Sequence, residues 1–276
     1  MPVIIDGTNG VNTPNTFAFK NRIIDGGFTI NQRGYTSGTS LSSGSYGHDR
    51  WKGGASGGTY TFTQGSTGVN TTITITAGSI IQVIEGANLP EGGTYVLSWT
   101  GTAQGKIGAG SFGASGITGT ITAGTNTNIE FNTGTCGNVQ LEVGSTATSF
   151  DYRPYGTELA LCQRYYEKSF NIGTAPANGI ESPDRRQMVA YATTEIGYQS
   201  MFQVSKRTSP TMTLFIDLNA GTNGQWSYYN GSAWTTMTTS GFRNTTQEFR
   251  IDFIVTGRTF GQALIGAGNW TASAEL

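Results

Sequence analysis

The residues of this chain that could do chemistry are few and scattered. His48 is the only histidine, and it stands in the run His48-Asp49-Arg50-Trp51. General base catalysis needs a nucleophile or a proton-bearing substrate group within reach. The run supplies neither a nucleophile nor a second base, so it reads as a structural cluster around a buried Trp51. Glu85, Glu91, Glu130, Glu142 and Asp151 have the type required for glycosidic bond cleavage, which takes two carboxyl groups roughly 5–10 Å apart. A chain of 276 residues offers as many carboxylates by chance. Cys136 and Cys162 are too few for a disulfide framework and form no Cys-x-x-Cys pair, so buried free thiols are expected. With one histidine there is no metal-ligand set, and the glycine-rich stretch 105–119 lacks the helix start and Lys-Ser/Thr of a phosphate loop. No catalytic residue, metal or cofactor is expected, and the chain is not read as an enzyme.

Binding chemistry is better represented. A sugar ring has apolar C–H faces and polar edges, and is held by an aromatic ring on its face and short polar groups at its hydroxyls. Trp226, Tyr228, Tyr229, Asn230, Ser232 and Trp234 supply both kinds within nine positions. Asn230-Gly231 predicts a two-residue type I′ hairpin, pairing Tyr229 with Ser232 and Ser227 with Trp234. Trp226 and Tyr228 then share one face, and Tyr229 and Trp234 the other. One face packs inward and the other is open to stack on a glycan. The alternative for each ring is a place in the core or at a subunit interface.

The elements that must position these residues are strands. Gly is 41 of 276 residues and charged residues are only 12%, with Ser, Thr and Asn in their place, which is the composition of short strands and tight turns. Strands are expected at 60–63, 71–76, 80–84, 94–100, 106–107, 119–123, 127–131 and 139–143. A second series is expected at 187–192, 196–204, 210–217, 225–229, 233–238, 248–255, 258–265 and 269–274. Phe249, Ile251, Phe253 and Val255 alternate with Glu248, Arg250 and Asp252, one face in and one out. Residues 17–32 have strand and turn character, with Ile23, Ile24, Phe28 and Ile30 supplying core.

Between the two series lies 140–170, QLEVGSTATSFDYRPYGTELALCQRYYEKSF. Pro154 keeps its predecessor extended. Thr157 can cap a short helix, with Glu158 in the first turn and Leu159, Cys162 and Tyr166 on one face. The fold class expected is all-β: two antiparallel, jelly-roll-like β-sandwich domains joined by one short helix. Residues 1–16 read as an arm, 17–155 as the first sandwich, and 156–276 as the helix and second sandwich. Val3, Ile4 and Ile5 form an apolar run too small for a core; it is either a tail or a segment that docks on a partner.

Net charge is −1 and no Lys/Arg run occurs, which argues against nucleic-acid binding. The pair Lys206-Arg207 reads as a solvated turn. No apolar stretch reaches the ~18 residues of a membrane span, and the N-terminus lacks the features of a secretion signal.

The stretch LEVGSTATSFDYRPYGTELALCQRYYEKS resembles a junction found in bacteriophage virion proteins, especially tail fibre and receptor-binding proteins. Residues 21–33 (NRIIDGGFTINQR), 269–276 (NWTASAEL) and the opening IDGTNGVNTP are similar to further parts of such proteins. The first sandwich resembles carbohydrate-binding modules. The resemblance implies a virion structural protein made in a bacterial cytoplasm, with a tail fibre or tail-tip role in attachment. It also implies a homotrimer, other virion proteins as partners through the arm, and a host surface glycan or protein as receptor. A purely structural capsid- or tail-decorating fibre is the alternative, and a glycan-degrading tail spike ranks below it.

Overall fold

The computed structural model describes residues 4–6, 10–12, 19–182, 185–218 and 221–276. The chain is all-β: the described residues form nineteen strands, one α-helix and one turn of 3-10 helix. They divide into two compact units, one of residues up to 30 with 36–158 and 276, the other of residues 31–35 and 159–275. Of the expected docking residues, Val3 lies outside the described residues, while Ile4 and Ile5 fall in β1 (Ile4–Asp6), antiparallel to β2 (Gly10–Asn12).

The rest of the first unit is β3 (Ser40–Leu41), β4 (Lys52–Thr61), β5 (Ile73–Ile84), β6 (Gly93–Thr100), β7 (Gly105–Ile107), β8 (Ile117–Ile121), β9 (Thr127–Phe131) and β10 (Gly134–Val143). β5 pairs with β4 along its length, with the start of β10 at Ile73↔Cys136, and with β9 at Ile80↔Phe131. β10 shifts register between Gly137 and Gln140, where Asn138 has φ +49°, and continues beside β6. β10 therefore joins β5 to β6 in one eight-stranded sheet of order β3-β4-β5-β10-β6-β8, with β9 and β7 branching from β5, and Trp99 of β6 meets Phe131 of β9 edge-on at 4.9 Å. The expected strand from Tyr60 begins eight residues earlier, at Lys52. Its glycines hide it from a propensity reading. A Cβ on Gly58 would stand 2.3 Å from the Ser79 carbonyl, so close strand approach requires glycine there.

Residues 19–39 contain no strand, contrary to the expected strand character of 17–32. Ile23, Ile24, Phe28 and Ile30 are nonetheless buried, as expected. Buried irregular backbone must find partners elsewhere; isolated backbone bonds, such as Arg22 N–H to the Leu141 carbonyl, supply some and side chains supply others. Gln82 accepts from the Ile24 N–H and donates to its carbonyl, at 2.8 and 2.7 Å. Asn21 accepts from the N–H groups of Ile23 and Leu141 and donates to the Val139 carbonyl. Asp25 Oδ1 accepts from Thr29 and Ile30, and Trp51 donates its indole N–H to the Asp25 carbonyl.

The helix α1 (Tyr155–Gln163) starts two residues before the expected Thr157 cap. The Pro154 carbonyl takes the first bonds, from Thr157 and Glu158 N–H, so Thr157 lies in the first turn and not at the cap. Glu158 is in that turn as expected and pairs with Arg153 at 3.1 Å. Cys162 is buried and Leu159 half-buried. The chain leaves the helix almost directly into β11 (Tyr166–Lys168).

The second unit continues with β12 (Arg186–Ala190), β13 (Glu195–Met201), β14 (Thr211–Phe215), β15 (Gln225–Tyr229), β16 (Trp234–Asn244), β17 (Glu248–Ile254), β18 (Ala263–Ala267) and β19 (Asn269–Ser273). Six of them close into an antiparallel barrel in the order β12-β13-β17-β16-β15-β18, and β11-β19-β14 form a separate sheet. Phe249, Ile251, Phe253 and Val255 are buried, as their alternation predicted, in a core shared with Trp226, Met188, Met237 and Trp270.

The motif Gln163-Arg164-Tyr165-Tyr166-Glu167 is the knot of this unit. Lys206 donates to the carbonyls of Gln163 and Val204 and to the Glu167 carboxylate, while Glu167 also accepts from the Gln203 N–H. Arg207 N–H bonds the Arg164 carbonyl, Ala274 N–H the Tyr165 carbonyl, and Gln32 the Tyr166 carbonyl. Arg33 lies 3.8 Å over the Tyr166 ring and pairs with Glu275 at 3.0 Å. The expectation of a solvated Lys206-Arg207 turn is corrected: Lys206 is buried, with three acceptors for its three ammonium protons.

Candidate functional site

The β15–β16 hairpin carries the aromatic cluster. Its register pairs Tyr229 with Trp234 and Trp226 with Met237, so the connection is the four residues 230–233 and not the two-residue turn that Asn230-Gly231 suggested. The cause is the Asn230 side chain. Its Oδ1 accepts from the N–H groups of both Ser232 and Ala233 at 2.9 Å, and its amide donates to Thr235 Oγ1 at 3.1 Å. These bonds hold a longer turn. The register differs from the expected one by two positions, an even number, so the face assignments survive.

Those faces have opposite fates. Trp226 is wholly buried, its indole N–H donating to the Asn269 carbonyl at 2.9 Å and its ring 5.3 Å from Phe253. It is core and cannot stack on a ligand, which corrects its place among the binding residues. Tyr228 is half-buried on the same inner side, with Arg258 over its ring and donating to its hydroxyl at 3.2 Å. Asn230 is occupied by the turn, so it offers no free polar group of the kind expected. Tyr229, Trp234 and Ser232 remain accessible.

Tyr229 is 39% exposed and its ring centre lies 5.8 Å from that of Trp234. Arg185 covers Trp234 at 4.4 Å, a cation–π contact, and is itself held by Asp217 at 3.1 Å and Glu181 at 3.3 Å. Across the barrel wall Gln187 pairs with Ile265, Ile265 with Tyr229, and Tyr229 with Trp234, so the four stand in one lateral row. Ile265 and nearby Val189 are exposed. Arg185, Asp217 and Ile265 were missed from sequence. They lie 44, 12 and 36 positions from Tyr229; strand pairing brings in Ile265, and connections outside the strands bring in Arg185 and Asp217.

The residues that first suggested catalysis have separate structural partners. His48 is buried against Tyr60 and Gln64, at 3.0 and 3.1 Å, and burial lowers its pKa to about 4, leaving it neutral. Glu91 pairs with Arg22, Glu130 with Lys106 and Ser79, and Glu142 accepts from Gln140 and Thr148. Cys136 and Cys162 are free and buried, and burial raises the Cys136 thiol pKa. Among the described residues no group of three His, Cys, Asp or Glu is placed to hold a metal ion. Among the described residues no helix is long and apolar enough to cross a membrane.

No protein-family model, curated protein or solved structure matches the chain.

Proposed function

We propose that this chain is a bacteriophage virion protein, a tail fibre or tail-tip component that attaches the particle to the host surface as a homotrimer. Support comes from the sequence resemblance of 140–170, 21–33 and 269–276 to such proteins. Much of what resembles them does framework work: Asn21, Gln32, Arg33, Tyr165 and Ala274 all enter the bonding described above.

The observation that carries attachment is the outward Tyr229–Trp234 pair, mounted on a closed barrel beside Arg185. Rigid aromatics contribute contact area at little entropic cost. Three copies of a modest site act together, so avidity amplifies each contact. Host-cell adsorption of purified Tyr229→Ala and Trp234→Ala proteins, each with its fold and oligomeric state verified, tests this. A large loss of adsorption is expected; folded, oligomeric variants that adsorb like the parent would sink it.

The second reading is a subunit that only stabilises the particle. The exposure of Val189 and Ile265 beside the same aromatics favours it, because an apolar strip on a barrel wall also suits a neighbouring copy. In that case the variants change oligomeric state instead of adsorption alone.

A further inference from the structure

One edge of the first unit's sheet is left open. β8 pairs with β6 alone and ends the strand order. The alternation of an antiparallel ladder shows which of its backbone groups are spent. Val96 and Ser98 of β6 stand opposite Glu142 and Gln140 of β10, and the Thr94 carbonyl accepts from Gly144 N–H at 2.9 Å, so the even-numbered residues of β6 bond toward β10. Gly93, Tyr95 and Leu97 face β8 instead, opposite Ile121, Gly119 and Ile117, and the Leu97 carbonyl accepts from Gly116 N–H at 2.9 Å. The N–H and C=O groups of Thr118 and Thr120 therefore point away from β6, and no described strand meets them.

The other free ends of this sheet are closed. β3 is two residues long. On β7, Gly105 exchanges both backbone bonds with Gly113, at 3.0 and 2.9 Å, and the Ile107 carbonyl accepts from Gly110 N–H at 3.0 Å. β8 has none of the devices that keep an edge from pairing, which are shortness, a bulge, a charge or a proline. It is five residues long, its register is unbroken, and residues 107–129 include no charged residue and no proline.

The sequence of β8 names what fits there. Ile117-Thr118-Gly119-Thr120-Ile121 reads the same in both directions. Laid antiparallel to a second copy of itself about Gly119, it sets Ile117 against Ile121, Thr118 against Thr120 and Gly119 against Gly119. The unspent groups then fall in register, because Thr118 of each copy exchanges both backbone bonds with Thr120 of the other. Thr–Thr pairs across strands are favourable, and the exposed threonines share one face while the isoleucines share the other. A surface that matches itself in this way is what a two-fold interface requires. We propose that β8 joins two copies of this chain edge to edge, about a two-fold axis at Gly119, into one continuous sheet. This contact is separate from the trimer of the attachment reading: alone it gives a dimer, and with a three-fold contact on another face it gives a hexamer.

The test is sedimentation of the purified full chain over a range of concentrations. The parent is expected to reach an even multiple of the chain mass. Thr118→Lys/Thr120→Lys sets lysine against lysine across the two-fold, on side chains exposed in the single chain, and should weaken pairing tenfold or more, down to half the parent mass. Thr118→Glu/Thr120→Glu should do the same, and an equimolar mixture of the two variants should recover the parent mass. Under oxidising conditions, Thr118→Cys mixed with Thr120→Cys should form a disulfide-linked pair, because those positions face each other within disulfide range, while either variant alone should not. Should the charged variants misfold, the cysteine mixture decides, and absence of that cross-link overturns the proposal. It is also overturned by a parent at an odd multiple of the chain mass at every concentration, by a folded lysine variant as heavy as the parent, or by a mixture of folded lysine and glutamate variants that stays apart. A trimer in parent and variants alike overturns it while leaving the attachment reading intact.

Discussion

Residues 19–30 of the first unit and the β15–β16 hairpin of the second both hold a backbone against a tryptophan, by opposite means. In the hairpin the ladder does it: Trp226 is paired to β16, and Ser227, Tyr228 and Tyr229 are paired on both sides, to β16 and β18. In 19–30 there is no ladder; beside isolated backbone bonds such as Val139 N–H to the Gly26 carbonyl, Asn21, Asp25 and Gln82 make bonds with their side chains. A ladder is blind to side-chain identity, so its outward positions are free to vary. A side-chain staple needs one residue type at one place. The stretches that carry a recognisable signature should therefore be the stapled ones, and the hairpin, which has none, is where specificity has room to change.

The sharpest way to break that comparison is at the densest staple. Lys206→Met removes the ammonium that faces Glu167 and leaves a buried carboxylate with the carbonyls of Gln163 and Val204 unpaired. Removing one partner of a buried ion pair costs about 3–5 kcal/mol. Denaturant unfolding should show that loss. A change under ~1 kcal/mol would mean that water reaches the site and the motif is not a staple.

Gln82→Met comes next. It keeps the volume and orphans both the N–H and the carbonyl of Ile24, each at about 1–3 kcal/mol. A total of about 2–6 kcal/mol is expected from the same measurement. A neutral result would show that 19–30 has alternative partners and that the contrast with the hairpin is overstated.

Asp25 gives a pH signature to the stapled side alone. Burial, with Asp49 and Glu158 nearby, raises its carboxyl well above the usual range. The folded state then holds a proton that the unfolded state releases near pH 4. Stability contributed by Asp25 is present below that value and is lost as pH rises toward the raised folded pKa. Asp25→Asn removes this dependence, so the advantage of the parent over the variant should shrink steadily from pH 4 upward in urea titrations. A difference constant with pH would mean that Asp25 is ionised in the folded protein.

The uneven legibility of the sequence follows from the same contrast. Alternation placed Phe249, Ile251, Phe253 and Val255 correctly, because each strand buries one face in a sandwich or a barrel alike. For the same reason it could not foretell that six strands of the second unit close on themselves. Local patterns failed where a distant group intervened. The glycines of β4 answer to neighbouring strands, and Lys206 answers to Glu167, 39 residues away. At the candidate site the aromatic faces were legible from parity. Arg185 over Trp234 was not, because the loop that brings it there has no signal in the hairpin itself.

The smallest effect belongs to the free side of the comparison. Tyr229 lies on the outer wall, exposed, with its backbone held by β16 and β18 whatever its side chain. Tyr229→Ala should change stability by no more than about 0.5 kcal/mol, the usual range for surface substitutions. Its inward counterpart two strand positions from Tyr228, Trp226, should behave as core, and Trp226→Ala should cost about 3–5 kcal/mol. Thermal and denaturant unfolding of the two variants side by side measures the difference between the faces of one strand. If Tyr229→Ala destabilises the isolated subunit by more than ~1 kcal/mol, the outer wall is part of the fold's own packing. The ring then has a structural duty, and a loss of adsorption in that variant ceases to report receptor contact. If it is neutral, any loss of adsorption is a loss of contact with something outside the chain.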